Sequence, residues 1–227
     1  MGEVIHGDYA RWANADVLHS VTNYELHKGL YSGHNDHNYF EIAHTIRRQF
    51  DENGGIYRGR VLYSFVDNHD VDRIYSKLND KRHLRPVYTL LYTLPGVPSL
   101  YYGSEWGIKG EKIQGVTDAP LRPEFDAPQP NELSDLVSKY IHMRRGHKAL
   151  TLGDYKDLVL TNKQYVLERN YEGEKIVVAL NIDDAPYTIY PPIEHGSYQD
   201  LMSGEMVDYN GELELPPLSI TYLYKHA

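Results

Sequence analysis

The sequence contains no cysteine and no apolar run of 18 residues. Without cysteine, the chain cannot form disulfides, use a thiolate nucleophile or build a cysteine-based zinc site. Without a long apolar run, no membrane-spanning helix is predicted. Basic residues are also in the minority, 23 against 32 acidic ones, which gives a net charge of −9. This balance disfavours a nucleic-acid partner, because binding to nucleic acid requires a basic face.

The N-terminal residues MGEVIHGDYARW lack the basic and apolar regions of a secretory signal peptide. Together with the absence of cysteine, this leads us to expect a cytoplasmic protein. Tyrosine is the abundant aromatic residue, with 21 copies against 4 Phe and 2 Trp. Its apolar ring and polar tip suit stacking on sugars, but strand-rich domains also favour tyrosine. Composition alone leaves both interpretations open.

Residues 1–152 alternate between strand-like and helical patterns. Alternation of this kind predicts right-handed βα units and a parallel sheet. Short apolar runs predict buried strands, and apolar residues at helical spacing predict amphipathic helices. The predicted strands are 17–26, 60–67 and 97–103, and the predicted helices are 38–53, 80–94 and 130–150.

Residues 153–227 have a different pattern, in which short alternating strands are separated by turns such as Asn162-Lys163 and Asn210-Gly211. Strands at this spacing predict a small antiparallel sandwich. The predicted strands are 157–161, 164–171, 175–182, 187–190, 197–202 and 218–224.

The stretch SFVDNHDVDR, residues 64–73, places three aspartates, an asparagine and a histidine directly after an apolar run. One interpretation is a loop in which Asp and Asn side chains bond to their own backbone. The other is an active site, because α/β folds place functional groups at the carboxyl ends of parallel strands. A structural cap needs one acid, so the whole group favours the second interpretation.

Several motifs resemble the α-amylase family of glycoside hydrolases, family 13. FVDNHD (65–70) resembles the motif after the seventh barrel strand, GVPSLYYGSEWG (96–107) the eighth strand, and GEVIH (2–6) the motif after the fifth. The resemblance implies an α/β fold: the C-terminal half of a (β/α)8 TIM barrel, followed by a small antiparallel β-sandwich domain. Residues 1–152 would hold strands 5 to 8, and residues 153–227 the β-domain.

The resemblance also implies catalytic roles. Glycosidic cleavage passes through an oxocarbenium-like transition state and uses two carboxyl groups in the retaining mechanism. Glu3 would be the general acid/base, and Asp70 the carboxylate that stabilises the transition state. His69 would donate a hydrogen bond to the sugar beside the scissile bond. The implied substrate is an α-glucan or an oligosaccharide.

Other residues have weaker implied roles. His6 would line an adjoining subsite, and Arg73 would bind sugar or pair with an acid. Trp106 would stack on a sugar or pack as a rim residue, and these alternatives stay open. Asp67 and Asn68 are expected to support the residues that contact the sugar or to be structural. No metal site is predicted, because a group of three histidines (His34, His37 and His44) lacks ligand spacing and is interpreted as surface or loop residues.

The family's nucleophile Asp and the Arg before it belong to the fourth strand, whose motif is not found in these residues. The resemblance therefore implies the C-terminal part of an enzyme, inactive when isolated, with the family's calcium site absent along with the other half. No cofactor is predicted. Exposed parallel edges favour self-association or a complementing N-terminal half. The alternative is a non-catalytic glucan-binding or assembly module. Linkage, chain length and hydrolysis versus transfer stay open.

Overall fold

A computed structural model describes residues 1–51 and 53–225 of the chain. In the first two thirds, helices alternate with very short parallel strands. The strands are β1 (Tyr63–Phe65) and β2 (Val97–Ser99). The helices are α1 (Tyr24–Asn35), α2 (Tyr39–Phe50), α3 (Ile74–Lys77), α4 (Leu84–Thr93), α5 (Glu132–Gly146) and α6 (Lys148–Leu152).

Four chain segments lie side by side in sequence order, all parallel. β1 pairs with β2, with Tyr63 opposite Val97. Isolated parallel bridges extend the array, from Thr22 to Tyr63 and from Val21 to Gly2. Parallel segments end at the same edge, so the residues that follow Gly2, Thr22 and β1 are brought together there.

The predicted parallel strands are confirmed at β1 and β2, although both are shorter than the apolar runs that suggested them. The predicted strand at residues 17–26 is wrong in its second half, where α1 begins at Tyr24. The Asn23 side chain accepts a hydrogen bond from the Leu26 backbone N–H at 3.1 Å, and this cap fixes the start of the helix. The segment therefore turns into a helix directly after the bridging residues Val21 and Thr22.

The three predicted helices are confirmed, with α2, α4 and α5 inside the expected ranges. Asp80 caps a short 3₁₀ helix, Lys81–His83, that leads into α4. Pro86 lies in the first turn of α4, where the missing N–H removes no hydrogen bond within the helix. A capping box at Asn131 and Ser134 starts α5. None of the described helices is long and apolar enough to cross a membrane.

The last third contains two antiparallel sheets. Their strands are β3 (Asp154–Leu160), β4 (Gln164–Tyr171), β5 (Glu174–Asn181), β6 (Tyr187–Ile189), β7 (Gly196–Asp200), β8 (Met206–Tyr209), β9 (Leu213–Leu215) and β10 (Ile220–Tyr224). The larger sheet has six strands in the order β3-β4-β5-β10-β7-β8, and β6 pairs with β9 in the smaller one. All six predicted strands are present, and β8 and β9 are additional to them.

The six-stranded sheet is buried on both faces. Alternate side chains of β4 and β5 point in opposite directions, so Leu167 and Val178 join the core formed with the helices. Val166 and Val177 join a second core against β6 and β9. The helices and the small sheet therefore cover opposite faces of one sheet.

Buried arginines tie the helices to this sheet. Arg169 of β4 is 1% exposed and donates to backbone carbonyls of Thr93, Leu150, Gly153 and Asp154. Thr93 ends α4, and its carbonyl is one of those at a helix end that have no partner within the helix. Burial lowers the pKa of Arg169 to about 9.

The interpretation of three histidines as surface or loop residues holds for His37 and His44, which are exposed, and is wrong for His34. His34 is 0% exposed in α1, and its Nδ1 lies 2.6 Å from the Leu30 carbonyl oxygen. Burial lowers its pKa to about 3, so the ring is neutral and Nδ1–H donates to that carbonyl.

Candidate active site

Glu3, His69 and Asp70 lie together at the carboxyl edge of the parallel segments. One carboxylate oxygen of Glu3, one of Asp70 and one ring nitrogen of His69 all lie within 4.8 Å of one another. Glu3 follows the Gly2 bridge, and the other two follow β1. His69 Nε2 is 3.5 Å from Asp70 Oδ2. Two carboxylates and an imidazole from separate segments thus share one exposed cluster.

The loop after β1 bends because of Asn68. Its Oδ1 accepts hydrogen bonds from the backbone N–H groups of Asp70, at 2.8 Å, and Val71, at 3.1 Å. This side-chain turn lets the successive residues His69 and Asp70 both face the same opening. Asn68 therefore has the structural role expected from the sequence, and it also sets the direction of Asp70.

Tyr24 connects this loop to Glu3, and sequence reasoning missed it. The Tyr24 hydroxyl donates to Glu3 Oε1 at 2.6 Å and accepts from Asn68 Nδ2 at 3.2 Å. Burial, followed by the hydrogen bond to Glu3, raises the pKa of Tyr24 to about 12. No pattern signalled this role, because Tyr24 was assigned to a strand.

Arg122 is a second residue that sequence reasoning missed. Its guanidinium lies 3.3 Å from Asp70 Oδ1 and 2.7 Å from Asp118 Oδ2. It follows a 3₁₀ helix at Ala119–Leu121, in the long loop after β2. Arg122 and His69 therefore flank the two oxygens of the Asp70 carboxylate.

A cavity of about 570 Å³ opens beside the cluster. This volume is in the range of small-molecule sites. His6 lies on its wall. Residues that line it include His6, Tyr24, His27, Tyr31, Asp70 and Lys77.

Arg73 lies in the interior, away from this cavity. Its side chain is 0% exposed, and Nη1 donates to the Tyr102 carbonyl at 2.9 Å and to Ser104 Oγ at 3.1 Å. The guanidinium carbon lies 4.1 Å from the centre of the Tyr101 ring. At this position Arg73 supports the segment after β2, and the structure gives it no surface on which to contact a sugar.

Asp67 is buried as well, in keeping with its expected structural role. It accepts from Ser104 Oγ at 2.5 Å and from the Ile74 N–H at 2.8 Å, and burial raises its pKa.

Trp106 is half-buried and packs edge-to-face on Phe125, with ring centres 5.2 Å apart. Trp106 does not line the cavity beside Asp70.

Comparison with curated proteins finds relatives that are longer than this chain. A cyclomaltodextrinase from Thermoanaerobacter pseudethanolicus is 24% identical over 232 residues, which cover 99% of this chain and 39% of that protein. A cyclomaltodextrin glucanotransferase from Bacillus sp. (strain 38-2) is 27% identical over 146 residues, covering 62% of this chain and 20% of that protein. The chain thus spans well under half the length of these relatives.

Solved structures show the same fold. An Anoxybacillus α-amylase matches 100% of this chain and 52% of its own, with a TM-score of 0.80 and 24% identity. An α-amylase from H. orenii matches 99% of this chain and 53% of its own, with a TM-score of 0.79 and 20% identity. The family model for the α-amylase catalytic domain matches residues 1–153. On this match, which covers most of the sequence, the chain belongs to the α-amylase family.

Proposed function

We propose that the chain supplies the acid/base and stabilising groups of a glycoside hydrolase that cleaves α-glucans with retention of configuration. The observation that carries this proposal is the convergence of Glu3, His69 and Asp70 at the carboxyl edge of adjoining parallel segments. In barrel enzymes this edge holds the active site. We assign residues 1–152 to strands 5 to 8 of a (β/α)8 barrel and residues 153–227 to a β-domain.

In the proposed mechanism, Glu3 protonates the glycosidic oxygen as the bond breaks and then takes a proton from the attacking water. Asp70 and His69 bind sugar hydroxyls beside the scissile bond, and the negative charge of Asp70 favours the oxocarbenium-like transition state. Arg122, 3.3 Å from Asp70, holds this carboxylate in place. The cavity lined by His6 and Tyr31 receives the neighbouring sugar unit.

A retaining mechanism also needs a carboxylate nucleophile about 5 Å from the acid. In the family, this group belongs to the fourth-strand motif, which these 227 residues do not contain. We propose that a complementary half-barrel supplies it, on the same polypeptide or on a separate one. Reading the gene upstream of the Met1 codon for an Arg-x-Asp after a predicted strand distinguishes these two arrangements.

The substrate class rests on the relatives. Two of the relatives are named cyclomaltodextrinase and cyclomaltodextrin glucanotransferase, and both names refer to cyclic α-glucans. We therefore propose maltodextrins, linear or cyclic, as the substrates of the assembled enzyme. An exposed cluster beside an open cavity is compatible with access for such a polymer.

The test measures maltoheptaose and cyclomaltodextrin cleavage by this chain, alone and mixed with a half-barrel that carries the first four strands of a relative. We expect no turnover by the chain alone and measurable turnover by the mixture. Asp70→Asn lowers the rate of the mixture by about 10²–10⁴. Glu212→Gln, an exposed acid in the β-domain, serves as the control and leaves the rate unchanged.

Glu3 is tested with a substrate that needs no acid. Fluoride leaves without protonation, so Glu3→Gln abolishes cleavage of maltoheptaose while the mixture still releases a first equivalent of fluoride from α-maltosyl fluoride. Loss of this first equivalent as well would remove Glu3 from the acid role. Binding of maltoheptaose without turnover in a correctly assembled mixture would overturn the proposal and favour a glucan-binding module.

A further inference from the structure

We propose that Tyr24 and Asn68 are positioning residues that decide which oxygen of Glu3 carries its proton. This inference rests on the proposed function, in which Glu3 is the general acid/base. It is carried by an unbroken series of hydrogen bonds from the loop after β1 to the Glu3 carboxyl group. The donor and the acceptor of each hydrogen bond in this series can be assigned in only one way, and the assignment starts at Asn68.

The orientation of the Asn68 amide is fixed by the backbone. Its Oδ1 faces the N–H groups of Asp70 and Val71, which can only donate. The other amide atom, Nδ2, must therefore be the one that faces Tyr24, at 3.2 Å from the hydroxyl oxygen. An amide nitrogen can only donate, so the Tyr24 oxygen accepts this bond.

Tyr24 must then direct its own hydrogen elsewhere, and the available acceptor is Glu3 Oε1 at 2.6 Å. With a pKa raised to about 12, Tyr24 keeps this hydrogen throughout the neutral range. Its ring is held edge-on against Phe65, with centres 4.9 Å apart, and near His27. The hydroxyl is thus held in place by packing as well as by hydrogen bonds.

The consequence concerns the proton of Glu3. In a carboxylic acid the carbonyl oxygen accepts a hydrogen bond better than the hydroxyl oxygen does, so the bond from Tyr24 favours Oε1 as the carbonyl oxygen and the acid form of Glu3 carries its proton on Oε2. Oε2 is then the oxygen that meets the glycosidic oxygen. In the second half of the reaction, the ionised carboxylate accepts a charge-assisted hydrogen bond from Tyr24, which stabilises the base.

Asn68 adds a geometric role. The same side chain that orients Tyr24 toward Glu3 also holds the backbone N–H of Asp70. One amide therefore fixes the acid/base and the stabilising carboxylate relative to each other, although they belong to segments far apart in sequence. A shift of Asn68 would move both groups at once.

The experiment follows the Glu3 side-chain carboxyl carbon by NMR during a pH titration of the full chain. Tyr24→Phe keeps the ring packing and removes the donor, so the midpoint of the Glu3 titration moves upward by about half to one pH unit. Asn68→Asp also moves the Glu3 midpoint upward, because the hydrogen of the Tyr24 hydroxyl is then shared between two carboxylates. Tyr187→Phe, which removes an exposed hydroxyl in β6, serves as the control and leaves the midpoint unchanged.

An unchanged Glu3 midpoint in Tyr24→Phe would overturn the inference, since a merely structural tyrosine would not affect this titration. The measurement requires no turnover, so it is independent of the proposed function. If the midpoint moves but no assembly cleaves α-glucans, only the proposed function fails. If the assembly is active and Tyr24→Phe leaves the basic limb of its pH profile in place, only the inference fails.

Discussion

Two buried histidines are expected to make the fold sensitive to acid. His27 and His34, both in α1, have pKa values lowered to about 3. Burial is the main cause for both, with added repulsion from Lys77 on His27 and from His83 and His37 on His34. Both rings stay neutral in the folded chain, whereas in the unfolded chain they bind protons near pH 6.5.

The sign and size of the effect follow from proton linkage. Between pH 6.5 and pH 3 the unfolded chain binds more protons than the folded chain, so the free energy of unfolding falls as the pH falls. From pH 7 to pH 5 the loss amounts to about 2 kcal/mol for each histidine, or about 4 kcal/mol for the pair. A loss of this size is a large part of the stability of an ordinary domain.

The assay is urea unfolding of the wild type and of His34→Leu at pH 7, 6 and 5. Removing the titrating ring should reduce the loss between pH 7 and pH 5 by about 2 kcal/mol. His44→Gln, at an exposed position in α2, should leave the loss at its wild-type value. The carboxylates that titrate in this range are common to all three proteins and cancel in the comparison. An identical loss in His34→Leu and the wild type would refute the reasoning.

Two further predictions concern single buried contacts, both read from urea unfolding at pH 7. Arg169→Met leaves several buried carbonyls without their donor and should lower the free energy of unfolding by about 3 kcal/mol or more. Arg145→Met, at an exposed position, should change this free energy little. Similar losses in the two variants would contradict the argument. Gly96→Ala should cost about 2 kcal/mol or more, because φ is +112° and an added Cβ would lie 2.7 Å from the Leu62 carbonyl oxygen. Gly54→Ala, with nothing within 4 Å, is its control, and an equally mild effect at Gly96 would be inconsistent with this close contact.

Much of the fold could be predicted because local signals agree with the tertiary structure. The helices predicted at 80–94 and 130–150 have apolar residues at helical spacing, and in the structure Asp80 and Asn131 cap the starts of these segments. Strands β4 and β5 combine apolar alternation with clear turns, and they occur within one residue of their predicted bounds. Where propensity, periodicity and capping point the same way, boundaries can be read directly from the sequence.

The failures have a common physical cause. α1 was missed because its apolar face includes His27 and His34, which periodicity counts as polar although both are buried here. Burial of a neutral histidine depends on tertiary packing and has no local signature. Tyr24 and Arg122 reach the site only through long-range contacts, so no motif could have indicated them. The motif residues themselves, Glu3 and Asp70, lie together in the structure.

The six-stranded sheet has a practical consequence for work on this chain. Because Leu167 and Val178 complete the core of the helices, shortening the chain at residue 153 would leave the inner side of α4 to α6 open to water. Exposed apolar surface of this extent promotes aggregation. The last third of the chain thus covers apolar surface of the helices before it, and preparations of the helical segment should retain it.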